Sequence, residues 1–155
     1  MEIRDLAKEA VVISEDSTFR DAIALMVRKE TNNLLVVDED GKLSGEISVS
    51  DLMNGVVPDY LEPDNVMEEL STEEGFKKAV EAAGEKMVSD FMSADFESVH
   101  VDDSLLTIVG TAISHSTESI PVVDHDNHPI GVISRKGLKH ILAHHLNIPD
   151  VHIGD

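Results

Sequence analysis

The sequence contains no cysteine. It can therefore form no disulfide framework, no thiolate metal site and no cysteine nucleophile. Aromatic residues are also scarce, with four phenylalanines, one tyrosine and no tryptophan among 155 residues. Recognition of a flat ring must then rely on aliphatic side chains and backbone hydrogen bonds.

Basic residues are few relative to acidic ones. Twelve lysines and arginines stand against 31 aspartates and glutamates, which gives a formal net charge of −19. A surface of this sign repels phosphate backbones and anionic membranes over a Debye length of about 8 Å. The composition therefore argues against nucleic acid and membrane surfaces as partners.

Long apolar runs are missing as well. No stretch approaches the roughly 18 apolar residues of a membrane-spanning helix, and residues 1–10 lack the apolar segment of a signal peptide. We expect a cytoplasmic protein. Hydrophobic residues make up 41% of the chain, which is enough for one domain of ordinary size or for two half-size units.

What the sequence does contain is an internal repeat. The stretch from Ile3 to Val57, which includes LLVVDEDGKLSGEISVSDL, parallels that from Val88 to Leu142, which includes IPVVDHDNHPIGVISRKGL. Several landmarks recur at one constant separation. These pairs are Asp38 with Asp124, Gly45 with Gly131, Ile47 with Ile133 and Ser48 with Ser134.

Each half begins with a strand, a helix and a second strand. The first strands are predicted at Val11 to Ile13 and Ser98 to Val101, and the second, fully buried strands at Leu34 to Val37 and Ile120 to Val123. Ser17 and Ser104 are the predicted N-caps of the helices between them. The expected apolar faces are Phe19, Ile23, Met26 and Val27 in one helix, and Leu105, Ile108, Val109, Ala112 and Ile113 in the other. The second face is broad enough to predict burial on more than one side.

Each half then closes with a hairpin and a helix. Residues 38–41 and 124–127 have turn chemistry, with Gly41 and Asn127 suited to a positive φ. The strand after each turn ends at a serine, which can cap a closing helix. The predicted unit is therefore strand, helix, strand, strand, helix. Two such units would bury their small sheets against one another.

This β-α-β-β-α unit, with a buried L-L-V-V-D type strand followed by G-x-I-S-x-x-D, resembles the CBS domain. The resemblance occurs twice and covers nearly the whole chain, so the sequence resembles a stand-alone pair of CBS domains, a Bateman module. It implies an α+β fold of tandem CBS domains packed with pseudo-two-fold symmetry. We expect the first domain at residues 1–57, a linker with a helix at 58–87, and the second domain at 88–148.

The segment between the repeats matches neither copy. Pro58 and Pro63 should end the preceding helix and favour an extended link. Ser71 and Glu74 have the spacing of a capping box, and apolar residues recur at helical spacing from Phe76 to Met87. We predict a linker helix that joins the units and covers exposed core. The alternative role is to cap a ligand cleft or to dock a partner.

The segment G-E-I-S-V-S-D at residues 45–51 is the main candidate for ligand chemistry. It places a hydroxyl at a helix start, Ser48, and a carboxylate three residues later, Asp51. Such a pair can form hydrogen bonds with the adjacent hydroxyls of a diol, and the free amides of the first helical turn can bind phosphate. The CBS resemblance makes these the ribose-contacting positions. Taken alone, they are an ordinary serine N-cap with an acidic first turn.

The second copy departs from this pattern. It keeps Ser134 but has Gly137 where aspartate is expected, so a second ribose grip is doubtful. Arg135 and Lys136 begin that helix instead and could clamp a phosphate. The alternative is a solvated pair that balances acidic neighbours. We expect one competent site, with the ribose on the first copy and the phosphate near this basic pair.

The resemblance also implies an apolar slot for a base, at the starts of the first two strands of each copy. The residues concerned are Val11, Val12, Leu34, Ile120 and Pro121. Each of them could equally be plain core. The sequence also shows no nucleophile with a partnered base and no phosphate-binding glycine loop. We therefore do not expect an enzyme.

Histidines are concentrated near the last predicted helix. His140 and His144 are spaced four residues apart, so two imidazoles could face one metal ion, but no third ligand is evident. Histidines near a helix C-terminus also interact favourably with its negative end. We therefore expect no metal site, and these two residues are the candidates if one exists. His125 and His128, in the hairpin turn, are read as surface residues.

The resemblance implies a regulatory module that binds an adenosine-type nucleotide, AMP, ADP, ATP or S-adenosylmethionine, in the cleft between its domains. No cofactor is required, a homodimer is expected, and the signal would pass to a separate, unknown effector protein through a change in exposed surface. Two alternatives stay open. One is a ligand-free dimerisation or interaction scaffold, and the other is a histidine-based metal sensor.

Overall fold

The structure is a computed structural model that describes residues 2–57, 68, 70–115 and 119–149, without the side chains of His115, Arg135 and Lys136. Its helices are α1 (Ile3–Leu6), α2 (Phe19–Lys29), α3 (Val49–Val56), α4 (Glu73–Ala83), α5 (Val88–Phe91), α6 (Leu105–His115) and α7 (Arg135–His145). Its strands are β1 (Val12–Ser14), β2 (Asn33–Val37), β3 (Leu43–Ser48), β4 (Val99–His100), β5 (Ser119–Val123) and β6 (Pro129–Ser134).

The strands form two three-stranded sheets of the same topology, in the orders β1-β2-β3 and β4-β5-β6. The first two strands of each sheet are parallel, because a helix crosses over between them, and Val12 lies opposite Leu35. β5 and β6 are antiparallel neighbours joined by a turn. The expected strand, helix, strand, strand, helix unit is confirmed in both copies, and the fold is α+β.

The hairpin turns have the expected backbone. Gly41 has φ +79° and Asn127 has φ +67°, the left-handed conformation that glycine and asparagine tolerate best. The central strands are also as predicted. Residues 34–36 and 120–123 are buried, as their continuous apolar sequence indicated.

The described residues fall into two compact units. The first unit comprises Val11–Asp40 and Ser44–Ala94, and the second comprises Met1–Ala10, Gly41–Leu43 and Asp95–Asp155. The units therefore do not follow the sequence repeat from end to end. The amino-terminal segment of the first copy belongs to the second unit, and α5, which opens the second copy, belongs to the first.

These displaced segments are tied to the sheets by backbone pairing. In the second unit, Lys8 and Val132 exchange two N–H···O bonds of 2.8 and 3.0 Å. In the first unit, Glu46 and Ser93 do the same at 2.9 and 2.8 Å. Each sheet thus gains a short antiparallel bridge alongside its third strand.

Each unit has its own hydrophobic core. The buried residues of the first are Ile13, Phe19, Ala22, Met26, Leu34, Val36, Ile47, Leu52, Val56, Ala79, Ala83 and Val88. Those of the second are Ile3, Leu6, Val99, Ile108, Ile120, Val122, Ile133 and Ile141. α1 and α5 both supply core residues, although neither was predicted as a helix.

Two predicted helix starts are wrong by one residue. Thr18, not Ser17, caps α2. Its Oγ1 accepts from Asp21 N, and its N–H donates to Asp21 Oδ2. Thr72, not Ser71, caps α4 by accepting from Gly75 N. In both places the capping residue is the threonine after the predicted serine, because it directly precedes the helix and lies three residues before the amide that it accepts from. Ser104 was predicted correctly, since its Oγ accepts from Thr107 N at 3.3 Å.

The predicted helix faces were too wide. Val27 is 72% exposed and Ile113 76% exposed, whereas Ala22 and Ile108 are fully buried. The side of α4 that packs on the first core is likewise narrow. Its buried residues are Ala79 and Ala83, Val80 is partly buried against the same core, and Phe76 is 42% exposed. Pro58 and Pro63 lie outside the described residues.

Within the described ranges, we find no helix with the length and apolar character needed to cross a membrane.

Candidate functional site

Ser48 and Asp51 meet where β3 ends and α3 begins. Ser48 N donates to Asp51 Oδ2 at 2.8 Å, Ser48 Oγ donates to the same oxygen at 3.1 Å, and Asp51 N donates to Ser48 Oγ at 3.2 Å. These bonds form a capping box at the start of α3. The sequence prediction that the two side chains share one edge is therefore confirmed.

These hydrogen bonds stabilise the start of α3 without using both oxygens of the Asp51 carboxylate. The bonds described for Asp51 all use Oδ2, so Oδ1 can accept from a second partner. Both side chains are half-buried rather than enclosed. A carboxylate held in one orientation at a helix start can accept from two adjacent hydroxyls, which is what a ribose presents.

Glu46 is a member of this edge that the sequence analysis overlooked. Side chains alternate along β3, so Gly45 and Ile47 are buried while Glu46 and Ser48 lie half-buried on the other face. Burial raises the pKa of the Glu46 carboxyl above its ordinary value, and the negative charge of Asp51 raises it further. An acidic residue inside a predicted strand was the available signal, because glutamate is depleted in strands.

The raised pKa of Glu46 predicts a pH-dependent cost to stability. Between the ordinary and the raised pKa the folded state binds more protons than the unfolded state, so the free energy of unfolding falls as pH rises through that interval. Above the raised pKa, the full reduction in the free energy of unfolding is present. Glu46→Gln should therefore stabilise the protein at pH 7 more than the removal of an exposed carboxylate does.

Urea denaturation at pH 4 and pH 7 would measure this effect. The control is Glu81→Gln, which removes one negative charge from an exposed position on α4. We expect the gain of Glu46→Gln over this control to vanish near pH 4. An equal gain at both pH values would show that Glu46 carries no burial penalty.

The second copy keeps the serine of this capping box but lacks the carboxylate. Ser134 caps α7 by accepting from Gly137 N at 3.3 Å, and glycine offers no carboxylate to return the bond. Arg135 and Lys136 form the first turn of α7, but their side chains lie outside the described part of the chain. Their role as a phosphate clamp stays a prediction.

The residues predicted to line the base slot differ in access. Leu34 and Ile120 are 0% and 1% exposed and belong to the cores of the two units, and Pro121 is buried as well. Val12 is 39% exposed on the edge strand of its sheet, and Val11 is half-buried. Of these five residues, Val11 and Val12 keep exposed surface, and the base slot itself stays a prediction.

The histidines of α7 do not form a recognisable metal centre. His144 packs against His145, with ring centroids 5.4 Å apart. Among the described residues, three potential ligands come within 4.8 Å of one another only in the β5–β6 turn, at Asp124, Asp126 and His128. His140 and His144 are not part of that group.

The Asp124 group is explained by the turn itself. Asp124 Oδ1 accepts from the backbone N–H groups of Asp126 and His128, both at 2.9 Å. These bonds, that of His128 first, lower the pKa of the Asp124 carboxyl. In the other hairpin, Asp38 Oδ1 accepts from Asp40 N in the same way, also at 2.9 Å. The repetition indicates a structural role in both turns.

Comparison with known proteins agrees with the geometry. The CBS domain family matches residues 3–57 and 88–144. An uncharacterized protein of Methanocaldococcus jannaschii is 27% identical over 151 residues, covering 89% of this chain and 89% of that protein. A homoserine O-acetyltransferase of Methanocorpusculum labreanum is 26% identical over 126 residues. That match covers 81% of this chain but only 21% of the enzyme, so the chain spans about a fifth of that relative.

A solved structure of similar fold is CBSX2 in complex with AMP; CBSX2 is a CBS-pair protein of Arabidopsis thaliana. Its TM-score is 0.67 at 21% identity, and the alignment covers 94% of this chain and 98% of that one. The family matches cover more than half of the present chain and coincide with the two copies of the repeat. The chain therefore belongs to the CBS domain family and is a tandem pair of CBS domains.

Proposed function

We propose that this CBS pair is a regulatory module that binds an adenosine-type nucleotide, with the ribose held by Ser48 and Asp51. The observation that carries the proposal is the reciprocal bonding of these two side chains at the start of α3. It fixes a carboxylate and a hydroxyl beside the unpaired amides of a helix start, where a sugar and its substituents can bind.

Two further observations support the proposal. Val11 and Val12 offer an apolar surface on an edge strand, whose outer backbone groups can read the polar edge of a base. CBSX2, which shares the fold, was solved with AMP bound. For a ligand that carries phosphate, Ser134, Arg135 and Lys136 at the start of α7 are the residues we propose to contact it.

Thermal melting with ligand tests this function. AMP, ADP, ATP and S-adenosylmethionine would each be added to the wild type and to Asp51→Ala. A ligand at twenty times its dissociation constant adds about 1.8 kcal/mol of stability, so at least one compound should raise the Tm of the wild type by several degrees. Asp51→Ala should lose that increase.

The control is Asp21→Ala. Asp21 closes an identical capping box with Thr18 at the start of α2, within the same unit. Both variants lose a helix cap, so both should melt below the wild type. Only Asp51→Ala should also lose the ligand-induced shift. No shift of the wild type with any nucleotide would favour the ligand-free scaffold, and a shift with zinc alone would favour the histidine-based metal sensor.

We further propose that the module acts as a homodimer. Large apolar side chains are exposed on α6 and α7 of the second unit, namely Leu106 (78%), Ile113 (76%), Leu142 (63%) and Leu146 (70%). Leu106, Ile113 and Leu142 border a groove between these two helices. α2 and α3 of the first unit border a similar groove, with Val27 and Val49 exposed.

A duplicated apolar face favours a second copy of the chain as its occupant. Two-fold related chains would each present the same pair of faces, so that every patch meets a matching patch. The signal to an effector protein, which we propose to be a separate chain, would then be a ligand-dependent change in the surface that the dimer exposes.

A further inference from the structure

The β3–α3 segment that contains Ser48 carries two carboxylates and no basic residue. Glu46 lies on the same face of β3 as Ser48, and Asp51 is bonded to Ser48 at the start of α3. Residues 43–52 contain no lysine, arginine or histidine. A ligand whose ribose binds here therefore meets negative charge from the protein itself.

This charge is confined to one copy of the repeat. The position of Glu46 is occupied in the second copy by Val132, and that of Asp51 by Gly137. The helix of the second copy begins instead with Arg135 and Lys136. The fold does not require a carboxylate at either position, since both copies form the same strand and the same capped helix.

Glu46 is also held in place. Its N–H donates to Ser93 O at 2.9 Å and its carbonyl accepts from Ser93 N at 2.8 Å, so the backbone is fixed next to the site. Glu46 and Ser48 lie two residues apart on one face of β3, and Asp51 is bonded to Ser48, so both carboxylates lie next to the same serine. Within the described residues, no hydrogen bond or ion pair engages the Glu46 side chain, so its charge is available to a ligand.

We propose that Glu46 is a specificity-determining residue, which shifts the preference of this site toward adenosine ligands that carry a positive group, of the S-adenosylmethionine type, and away from adenine polyphosphates. The inference rests on the proposed function, because it concerns the same ribose site. If a ligand places a unit charge about 8 Å from Glu46, the charge of Glu46 changes the affinity of that ligand by about fivefold at an effective dielectric constant near 40. A cation gains this factor, and each phosphate charge loses up to as much.

Calorimetric titration of three probes measures this selectivity. The probes are adenosine, S-adenosylmethionine and ATP without magnesium, each titrated into the wild type, Glu46→Gln and the control Glu81→Gln. The ratio of S-adenosylmethionine affinity to ATP affinity should be higher in the wild type than in Glu46→Gln. In Glu46→Gln, S-adenosylmethionine should weaken about fivefold and ATP should tighten at least tenfold, whereas neutral adenosine should change less than twofold.

The outcomes separate this inference from the function on which it rests. Adenosine binding to the wild type, with the ratio of ATP to S-adenosylmethionine affinity unchanged in Glu46→Gln, would overturn the role of Glu46 and leave the nucleotide site standing. If Glu81→Gln changes the ratio of ATP to S-adenosylmethionine affinity as much as Glu46→Gln does, the role of Glu46 is overturned as well, because net charge alone would then explain the preference. No binding of any probe to the wild type would overturn both.

Discussion

Gly131→Ala should lower the free energy of unfolding by about 3 kcal/mol. A β carbon at residue 131 would lie 2.7 Å from the backbone oxygen of Lys8 and 3.2 Å from Ala7 Cβ. That oxygen accepts the hydrogen bond from Val132 N at 3.0 Å. The bridge between Lys8 and β6 must therefore shift or break, which combines overpacking with the loss of paired backbone groups. Equilibrium denaturation in urea measures the effect.

Gly110→Ala provides the contrast. Gly110 lies on α6, and nothing comes within 4 Å of the position of its β carbon. Alanine should stabilise that helix by about 0.5–1 kcal/mol, through propensity and a less disordered unfolded state. Gly45→Ala should fall between the two, since its β carbon would lie 2.6 Å from the movable Met92 sulfur but 3.1 Å from the backbone oxygen of Ser93. A neutral Gly131→Ala would mean that the amino-terminal segment does not pair with β6 in solution.

Leu142→Glu should convert a dimer into a monomer. Leu142 borders the groove between α6 and α7, and 63% of its side chain is exposed. Two-fold symmetry would place two new charges in an apolar contact, so we expect the dissociation constant to rise at least a hundredfold. Sedimentation equilibrium over a range of concentrations measures this. Because each chain has a net charge of −19, the wild-type dimer should also tighten as salt is added.

Ala82→Glu serves as the control for added charge. Ala82 is exposed on α4 and is not among the residues that border the groove. This variant should keep the wild-type association state, and both variants should melt within a few degrees of the wild type. If Leu142→Glu leaves the association state unchanged, a second copy does not occupy this face.

The sequence predicted the elements well because the repeat supports each assignment twice. The buried central strands, the turns at Gly41 and Asn127, and the caps at Ser48 and Ser134 all depend on local chemistry that a sequence displays. The partition into units could not be predicted in this way. α1 is only four residues long, too short for a helical period, and Lys8 pairs with a residue near the other end of the chain.

The candidate site was predicted where hydrogen bonding determines it. Ser48 and Asp51 have a spacing that brings them together in any capped helix. Burial was harder to assign, because an apolar residue in a strand has the same pattern whether it faces a ligand or the core. Leu34 and Ile120 lie in the cores, and Val11 and Val12 do not. Glu46 was overlooked because its partial burial and its proximity to Asp51 depend on the fold, which local sequence does not display.

The bridge between Lys8 and Val132 bears on the order in which the chain acquires its structure during synthesis. Every part of the first unit precedes residue 95, so that unit can form while the rest is still being translated. The second unit cannot. Ile3 and Leu6 are made first, yet their core partner Ile133 is made near the end. Ile3 and Leu6 must therefore stay outside a completed core, and Lys8 must stay unpaired with β6, until that strand has been translated.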